Sequence, residues 1–493
     1  MWINFFLLPF FLLPFVVRWL LWLNILQKKE YRLDRLFSYL KTCEGQKDML
    51  AVFPRRESLS RKTLKRPKFT LRVILIAFLS WFIIVGIIIL DIQQSILLFF
   101  LLLLSLLVII PGIILLCNLP FLLLFRLLVE ILLLLAQQKL KQTKPLIIGI
   151  TGSYGKSSTK HLLTHLLSAK HKVFTTQYSY NTPFSLAMQI LSRYRGEETV
   201  VLEFAAYKIG EIRNLAKRFQ PKIAIITGLA SQHLATFGSI ENIIKAKAEL
   251  IEILPNEGIV FYNDADQGVK KIVDHGLSNK PDIKTYSFSD SVLKLVYSEQ
   301  SIDELARLTF RLNNKRVNTK IVGKQFISVI KGATAVSRHL GFSDQQLVDS
   351  LSSFKPNDLF IKFNRHKNGF WILDDGKTAN PTGFKAAVEL LDEISQKRNS
   401  SGDLVLITSG LIDLGQDSIK IHQQLAWQTK NIFDTVIYLG DAGKKQFQDV
   451  FGKKIIMDTI QAKELIKKLN RDDIVLVEGR LPVEIAKLLG VKQ

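Results

Sequence analysis

Cysteine is almost missing from this chain: 493 residues contain two, Cys43 and Cys117. Two thiols exclude a disulfide framework and a four-thiolate zinc site. Acidic residues are in deficit as well. Asp and Glu number 43 against 66 Lys and Arg, a net charge of +23. No short internal repeat is found, and no low-complexity segment beyond the apolar runs. Apolar residues, by contrast, are plentiful: 48% of the chain is hydrophobic, with mean hydropathy +0.19. That hydropathy beside so large a charge is unusual for one soluble domain, so apolar and basic residues must be segregated. They are. Residues 1–145 hold 19 Lys/Arg and 7 Asp/Glu, about +12, together with the longest apolar runs. The length allows roughly two to four domains with ample core.

Val73–Leu90 is 18 residues without a charge, and Ile96–Cys117 is 22. Both suffice to cross a bilayer core of about 30 Å. Residues 1–17 are also uncharged, and a third span over 2–26 is expected, with Arg18 snorkelling to the surface. A cleaved signal peptide fits less well, because no basic leading region and no small-residue cleavage site precede Lys28. Residues 28–72 carry 14 Lys/Arg and 5 Asp/Glu, whereas the loop 91–95 has no Lys or Arg. The positive-inside rule puts 28–72, and everything after Cys117, on the cytoplasmic side of an inner (plasma) membrane crossed several times. The stretch 119–136 contains Arg126 and Glu130 and reads as an interfacial or membrane-packed helix. The basic loop fits anionic lipid headgroups rather than nucleic acid; a merely solvated charged loop is the alternative.

From Pro145 short β-rich runs alternate with amphipathic helical stretches: 146–150, 199–205, 222–228, 258–264, 370–375, 403–410, 435–441 and 473–479. This is the pattern of an α/β protein with mostly parallel sheets. A more polar β-like stretch covers about 284–322, and Phe354–Asp358 reads as a domain junction. Three parts are expected: a membrane region 1–144, a central domain 145–355 and a C-terminal domain 356–493.

The strand at 146–150 runs into Thr151-Gly152-Ser153-Tyr154-Gly155-Lys156-Ser157-Ser158 and then a helical pattern. Glycines let backbone N–H groups wrap a phosphate. Lys156 supplies a point charge, Ser157 a hydroxyl for Mg²⁺, and the helix N-terminus a partial positive charge. The spacing is one residue shorter than the common phosphate loop. Glu203, His233 and Asp264 fall at or just beyond strand ends, where open α/β sheets bind ligands. Glu203 and His233 are candidate metal ligands, although such residues also serve as helix caps or surface groups. In the helix 240–254, Lys247 lies on the apolar stripe and Lys245 does not. A bare ammonium there pays heavily for desolvation. Lys247 is either a lysine snorkelling at the stripe's edge or a functional amine that is chemically changed or faces the metal site.

Several motifs together resemble the Mur ligase family, the ATP-dependent amide-forming enzymes of peptidoglycan synthesis, over about 145–480. They are GITGSYGKSSTK (149–160), NTPFS (181–185), VVLEFAAYKIGEI (200–212), TGLASQHLATFGSIENIIKAKAEL (227–250), LDDGKTANPTGFKAA (373–387) and LIDLGQDS (411–418). Within the family the branch that adds D-alanyl-D-alanine is most similar. The resemblance implies a phosphate-loop central domain, a Rossmann-like C-terminal domain, and the cofactors ATP and Mg²⁺. It implies that Lys156 and Ser157 hold ATP phosphates and Mg²⁺, that Glu203 and His233 ligate or position Mg²⁺, and that Lys247 is a carbamate formed with CO₂. Arg365, Asp374, Asp375, Lys377 and Asn380 would close over ATP, and Asn181 and Thr182 would face substrate.

The chain departs from that branch at substrate-reading positions. A Tyr of its usual motif is Lys377 and the preceding Ser is Gly376. Its His-Asn reads Gln325-Phe326, and its Lys-Gly-Ser-Arg reads Glu478-Gly479-Arg480-Leu481. The membrane region stands where the branch keeps its uridine-nucleotide domain. The implied partners are therefore a cell-wall precursor or other carboxylate, either nucleotide-linked or lipid-linked, and an amino acid or dipeptide. A polyglutamate-extending ligase and a non-catalytic membrane scaffold are the competing readings. The intact Lys156, Glu203, His233 and Lys247 argue against the scaffold.

Overall fold

The computed structural model describes residues 2–51, 66–91, 95–230, 234–289, 301–302, 306–377, 380–398, 402–411, 414 and 417–491. The chain divides into two compact units, Met1–Ile131 and Leu132–Gln493.

The first unit is helical: α1 (Trp2–Lys28), α2 (Leu33–Leu40), α3 (Cys43–Leu50), α4 (Leu71–Asp91) and α5 (Ile96–Thr143), the last continuing into the second unit. Trp22, Leu26, Leu36, Ile76, Phe99 and Leu106 form its core. Elsewhere on α4 and α5 large apolar side chains such as Phe78, Phe82, Leu97 and Leu123 are exposed. Among the described residues two helices, α4 and α5, are long and apolar enough to cross a membrane. The expected span 2–26 lies in α1, whose side chains before Leu13 are outside the described residues.

Three expectations change. Arg18 does not snorkel. It is 3% exposed, and its guanidinium donates to the carbonyls of Met49 (3.1 Å) and Ala51 at the end of α3. Those orphaned helix-end carbonyls give a buried cation the acceptors it needs. Within the basic 28–72 segment, Leu33–Leu40 and Cys43–Leu50 are not plain loop but the helices α2 and α3. Residues 96–117 and 119–136 are not separate elements either. They form one 48-residue helix, about 72 Å long at 1.5 Å per residue, with Pro111 and Pro120 inside it.

The second unit contains two parallel sheets. The first uses β1 (Leu146–Thr151), β2 (Val173–Thr175), β3 (Thr199–Glu203), β4 (Ile223–Ile226), β5 (Ile259–Tyr262) and β6 (Lys284–Ser287), in the order β2-β3-β1-β4-β5-β6, all parallel. Between them run α6 (Lys156–Leu167), α7 (Pro183–Arg193), α8 (Glu211–Phe219), α9 (Leu234–Phe237), α10 (Ile240–Glu252) and α11 (Gln267–Leu277). Buried β4 reads as an unbroken apolar run, and buried β3 as an apolar run between Thr199 and Glu203, as in parallel sheets covered on both faces. The polar stretch near 284–322 splits. β6 completes the parallel sheet, while β7 (Ser301–Ile302), β8 (Arg307–Leu312) and β9 (Lys315–Val322) form a small antiparallel sheet.

Helices α12 (Ile327–His339) and α13 (Asp344–Ser353) lead to the second sheet. It comprises β10 (Lys362–Arg365), β11 (Trp371–Asp375), β12 (Leu404–Thr408), β13 (Thr435–Tyr438), β14 (Ile455–Ile456) and β15 (Ile474–Glu478), in the order β10-β11-β15-β12-β13-β14. Only β10 is antiparallel to its neighbour. Helices α14 (Pro381–Arg398), α15 (Ser418–Thr429), α16 (Lys444–Phe451), α17 (Thr459–Lys468) and α18 (Val483–Leu489) connect these strands. A core including Ile150, Leu166, Phe326, Phe360, Leu373 and Phe384 runs through both halves of this unit.

Candidate active site

In the first sheet β1 feeds leftward to β2, whereas its neighbour β4 feeds rightward to β5. The crevice outside the carboxyl ends of β1 and β4 is thus a topological switch point. The loop 152–155 fills it. Gly155, at φ +78°, provides the left-handed turn that starts α6. Gly152 passes so close to Thr227 that a Cβ would lie 2.1 Å from its hydroxyl oxygen. Thr227 in turn donates to the Tyr154 carbonyl at 2.5 Å. Thr151 donates to the Phe204 carbonyl, and Ser153 to the Ala230 carbonyl, so both side chains brace the loop. The Tyr154 ring lies against Gly228, and its hydroxyl donates to Asp266 Oδ2 at 2.8 Å.

Lys156 folds over the loop, with Nζ donating to the carbonyls of Gly152 (2.7 Å) and Ser153 (3.2 Å). Burial lowers its pKa, and Glu203 partly opposes that shift. One residue on, the Ser157 hydroxyl donates to Glu203 Oε2 at 2.7 Å. Asn181 Nδ2 donates to Glu203 Oε1 at 2.8 Å. Lys160 Nζ lies 3.8 Å from Glu203 Oε2. Glu203 is 1% exposed, so four side chains from three segments converge in a dry place.

Lys247 is buried in α10 while Lys245 is exposed. Its pKa is driven well below the ordinary lysine value, first by burial and then by the Lys156 ammonium, with Glu203 opposing. Among the described residues its side chain has no hydrogen-bond partner. Lys156, Lys160 and Lys247 all interact electrostatically with the one carboxylate of Glu203.

On the C-terminal side Asp375 and Asn380 line a cleft of about 660 Å³, open solvent included, with Tyr154, Gly155, Ser158 and Phe326. Ser158 donates to the Leu359 carbonyl, which ties α6 to this side. Asn380 Oδ1 accepts from Gly383 N and so starts α14. Asp374 and Lys377 instead line a small adjoining recess with Asp358 and Lys362. Lys362 and Lys377 both pair with Asp358, which lowers its pKa.

Three further residues fall elsewhere. Arg365 sits at the far end of β10, opposite Trp371, with Nε bonded to the Gly369 carbonyl; it lines neither cavity. Thr182 caps α7 through a reciprocal bond with Ser185. Asp264 accepts from Ser289 N. His233 lies outside the described residues.

The structure adds four features to the site. Lys160 sits on the buried stripe of α6 with Leu163 and Leu167, so the periodicity that singles out Lys247 also marks it. Asp266 caps α11 and binds Tyr154 at once. The pairing of Asp358 with Lys362 and Lys377 left no spacing signal. Glu478, at the end of β15 beside Asp375, is fully buried, and among the described residues neither carboxylate oxygen has a hydrogen-bond partner. Burial, then Asp375 and Asp374, pushes its pKa well above the usual carboxylate range.

A strand–phosphate loop–helix unit with a carboxylate behind its serine, joined to a second parallel α/β domain across a cleft, defines a phosphate-loop α/β protein of two domains. Residues 150–337 match the Mur ligase middle domain, and 361–481 match the Mur ligase glutamate ligase domain. The chain belongs to the Mur ligase family.

It is 25% identical over 290 residues to the UDP-N-acetylmuramoyl-tripeptide–D-alanyl-D-alanine ligase of Bacillus subtilis, covering 59% of this chain and 61% of that one. It is 26% identical over 374 residues to the same-named ligase of Rickettsia prowazekii, covering 73% and 80%. The MurF ligase of Thermotoga maritima, solved with ADP, superposes with TM-score 0.61 at 27% identity, over 73% of this chain and 82% of that one. The chain thus spans about three fifths of the length of the Bacillus relative.

Proposed function

We propose that this chain is a membrane-anchored ATP-dependent ligase that joins a carboxylate to an amine through an acyl phosphate. The proposed setting is peptidoglycan precursor synthesis, with D-alanyl-D-alanine or another amino acid or dipeptide as the amine. The observation that carries the reading is the Ser157–Glu203 hydrogen bond beneath a phosphate loop, with Lys156 and Lys247 beside it. A soluble nucleotide-linked or a lipid-linked carboxylate would serve. Domain limits of 1–144, 145–355 and 356–493 are part of the proposal, as is an inner-membrane location through α4 and α5 with the ligase unit in the cytoplasm.

The donor set fits a hard divalent cation, since a hydroxyl and a buried carboxylate supply oxygen ligands beside the loop. Mg²⁺ held by Ser157 and Glu203, with His233 as a further ligand, would neutralise charge on the ATP phosphates. The surplus of lysines around Glu203 fits a Lys247 that gives up its charge. Its depressed pKa leaves the amine lone pair free to add CO₂, with loss of a proton, giving a carbamate anion in place of a cation.

In the proposed reaction a carboxylate oxygen attacks the γ-phosphorus and ADP leaves. The amine then attacks the acyl carbon, and phosphate departs with the oxygen that bridged carbon and phosphorus. Loop N–H groups and Lys156 stabilise charge on the transferring phosphoryl group. Asn181, fixed on Glu203, sets the edge of the carboxylate site. Asp375 and Asn380 bring the C-terminal domain over the nucleotide, which excludes water from the acyl phosphate.

The test is phosphate release from ATP, screened over UDP-muramoyl peptides, lipid-linked precursors and amino-acid or dipeptide amines. Release that requires both a carboxylate and an amine, and that Lys156→Ala abolishes, supports the reading. Release without either, or none with any pair, refutes it.

A further inference from the structure

Lys160 has the whole geometry of a joint. Its side chain is fully buried, one helical turn beyond Lys156 on α6, and it approaches the Glu203 oxygen that Ser157 also binds. An ammonium has three N–H donors, and here two make hydrogen bonds while a carboxylate lies at ion-pair distance. Nζ donates to Thr176 Oγ1 at 3.1 Å and to the Tyr178 carbonyl at 2.5 Å, and Glu203 Oε2 lies 3.8 Å away. Thr176 and Tyr178 belong to the segment between β2 and α7, which also carries Asn181 and Thr182. That segment returns to the same carboxylate, because Asn181 binds Glu203 Oε1. Lys160, on α6, thus binds the loop at Thr176 and Tyr178 and lies beside Glu203 Oε2, while Asn181 of the same loop binds Oε1.

We propose that Lys160 is a positioning residue that couples the metal-binding carboxylate Glu203 to the substrate-side segment 176–182. The inference rests on the proposed ligase reading for its metal, and on geometry alone for its loop. Two consequences have opposite signs. As a cation next to Glu203, Lys160 weakens the binding of a divalent cation there. As a tether, it orders the segment from which Asn181 reaches the site. A lysine that merely filled the core would not order that segment.

The experiment uses the full chain in detergent, with Lys160→Met and Thr176→Val variants. Mn²⁺ binding in the presence of ADP is titrated by electron paramagnetic resonance, and amide hydrogen exchange is followed over 176–182. Lys160→Met should bind Mn²⁺ about threefold tighter or more, since one neighbouring positive charge is gone, and should exchange at least about tenfold faster over 176–182. Thr176→Val keeps the charge and loses part of the tether. It should leave Mn²⁺ affinity unchanged and speed exchange, and it stands in if Lys160→Met fails to fold.

Unchanged or weaker Mn²⁺ binding in a folded Lys160→Met, or unchanged exchange in either variant, overturns the inference. If the parent chain shows no saturable Mn²⁺ binding, the proposed function falls instead, and hydrogen exchange still decides the tether.

Discussion

Glu203 Oε2 accepts a 2.7 Å hydrogen bond from the Ser157 hydroxyl, so the last residue of β3 meets the first turn of α6. This follows from the sheet order, which sets β3 directly beside β1 with Ile150 paired to Glu203. If that junction holds the metal, Glu203→Gln should lower kcat/KM by about 100-fold or more. Ser157→Ala should raise the Mg²⁺ concentration for half-maximal phosphate release about tenfold. A Glu203→Gln chain of parental activity would remove Glu203 from the site.

Lys247 gives a pH dependence of known sign. Its folded pKa lies well below 10.5, so between the two values the unfolded chain binds more protons. Stability attributable to this group therefore rises with pH across that window and is complete only above 10.5. Replacing it by Met should flatten the rise, measured as melting temperature at pH 6.5 and 8.5. Separately, Lys247→Ala should lose most activity and regain part of it with added short carboxylates. Full activity in Lys247→Ala contradicts the carbamate.

Glu478 has the opposite linkage. Its folded pKa is raised well above 4.5, so between those values the folded chain holds more protons and stability falls as pH rises. Glu478→Gln has no charge to bury. It should stabilise the protein at pH 7.5 by about 1–3 kcal/mol and reduce the slope, as read from urea melts over that range. A destabilised variant at pH 7.5 would show that the carboxylate is paired.

Gly228 is tied to Tyr154 by contact, because an added Cβ would lie 2.2 Å from the tyrosine ring. Gly228→Ala should displace the ring from Asp266 and raise the KM for ATP about tenfold through the misplaced loop. Tyr154→Phe, which keeps the ring and loses only its hydroxyl, should stay within about threefold of the parent. Equal effects in both variants would assign the role to the hydrogen bond rather than to the ring.

The proposed membrane location predicts that the full chain stays with the membrane pellet after alkaline carbonate extraction. Recovery in the soluble fraction would contradict an anchor formed by α4 and α5.

Local chemistry was legible in the sequence where a pattern is short-range. The strand–loop–helix at 146–167 could be read from glycine spacing, and the burial of Lys247 against the exposure of Lys245 from helical periodicity. Arg18 misled because a charge in an apolar run normally seeks water, and its acceptors at Met49 and Ala51 lie 31 and 33 residues away. The uncharged run ends at Cys117, yet α5 continues to Thr143 with Pro111 and Pro120 inside it. Arg365 shares a strand with Lys362, but β10 runs antiparallel to β11, so the two lie at opposite ends. Lys362 lines the recess beside Asp374 and Arg365 does not. The pairing of Lys377 with Asp358 and the placing of Glu478 beside Asp375 join segments distant in sequence, the latter through strand register.

The central claim is transfer of a carboxylate oxygen through an acyl phosphate. Its most direct test uses a competent carboxylate labelled with ¹⁸O on its carboxyl group, with mass analysis of the released phosphate. The account predicts one labelled oxygen in each inorganic phosphate and none in ADP. Unlabelled phosphate, or label appearing in AMP, would contradict it.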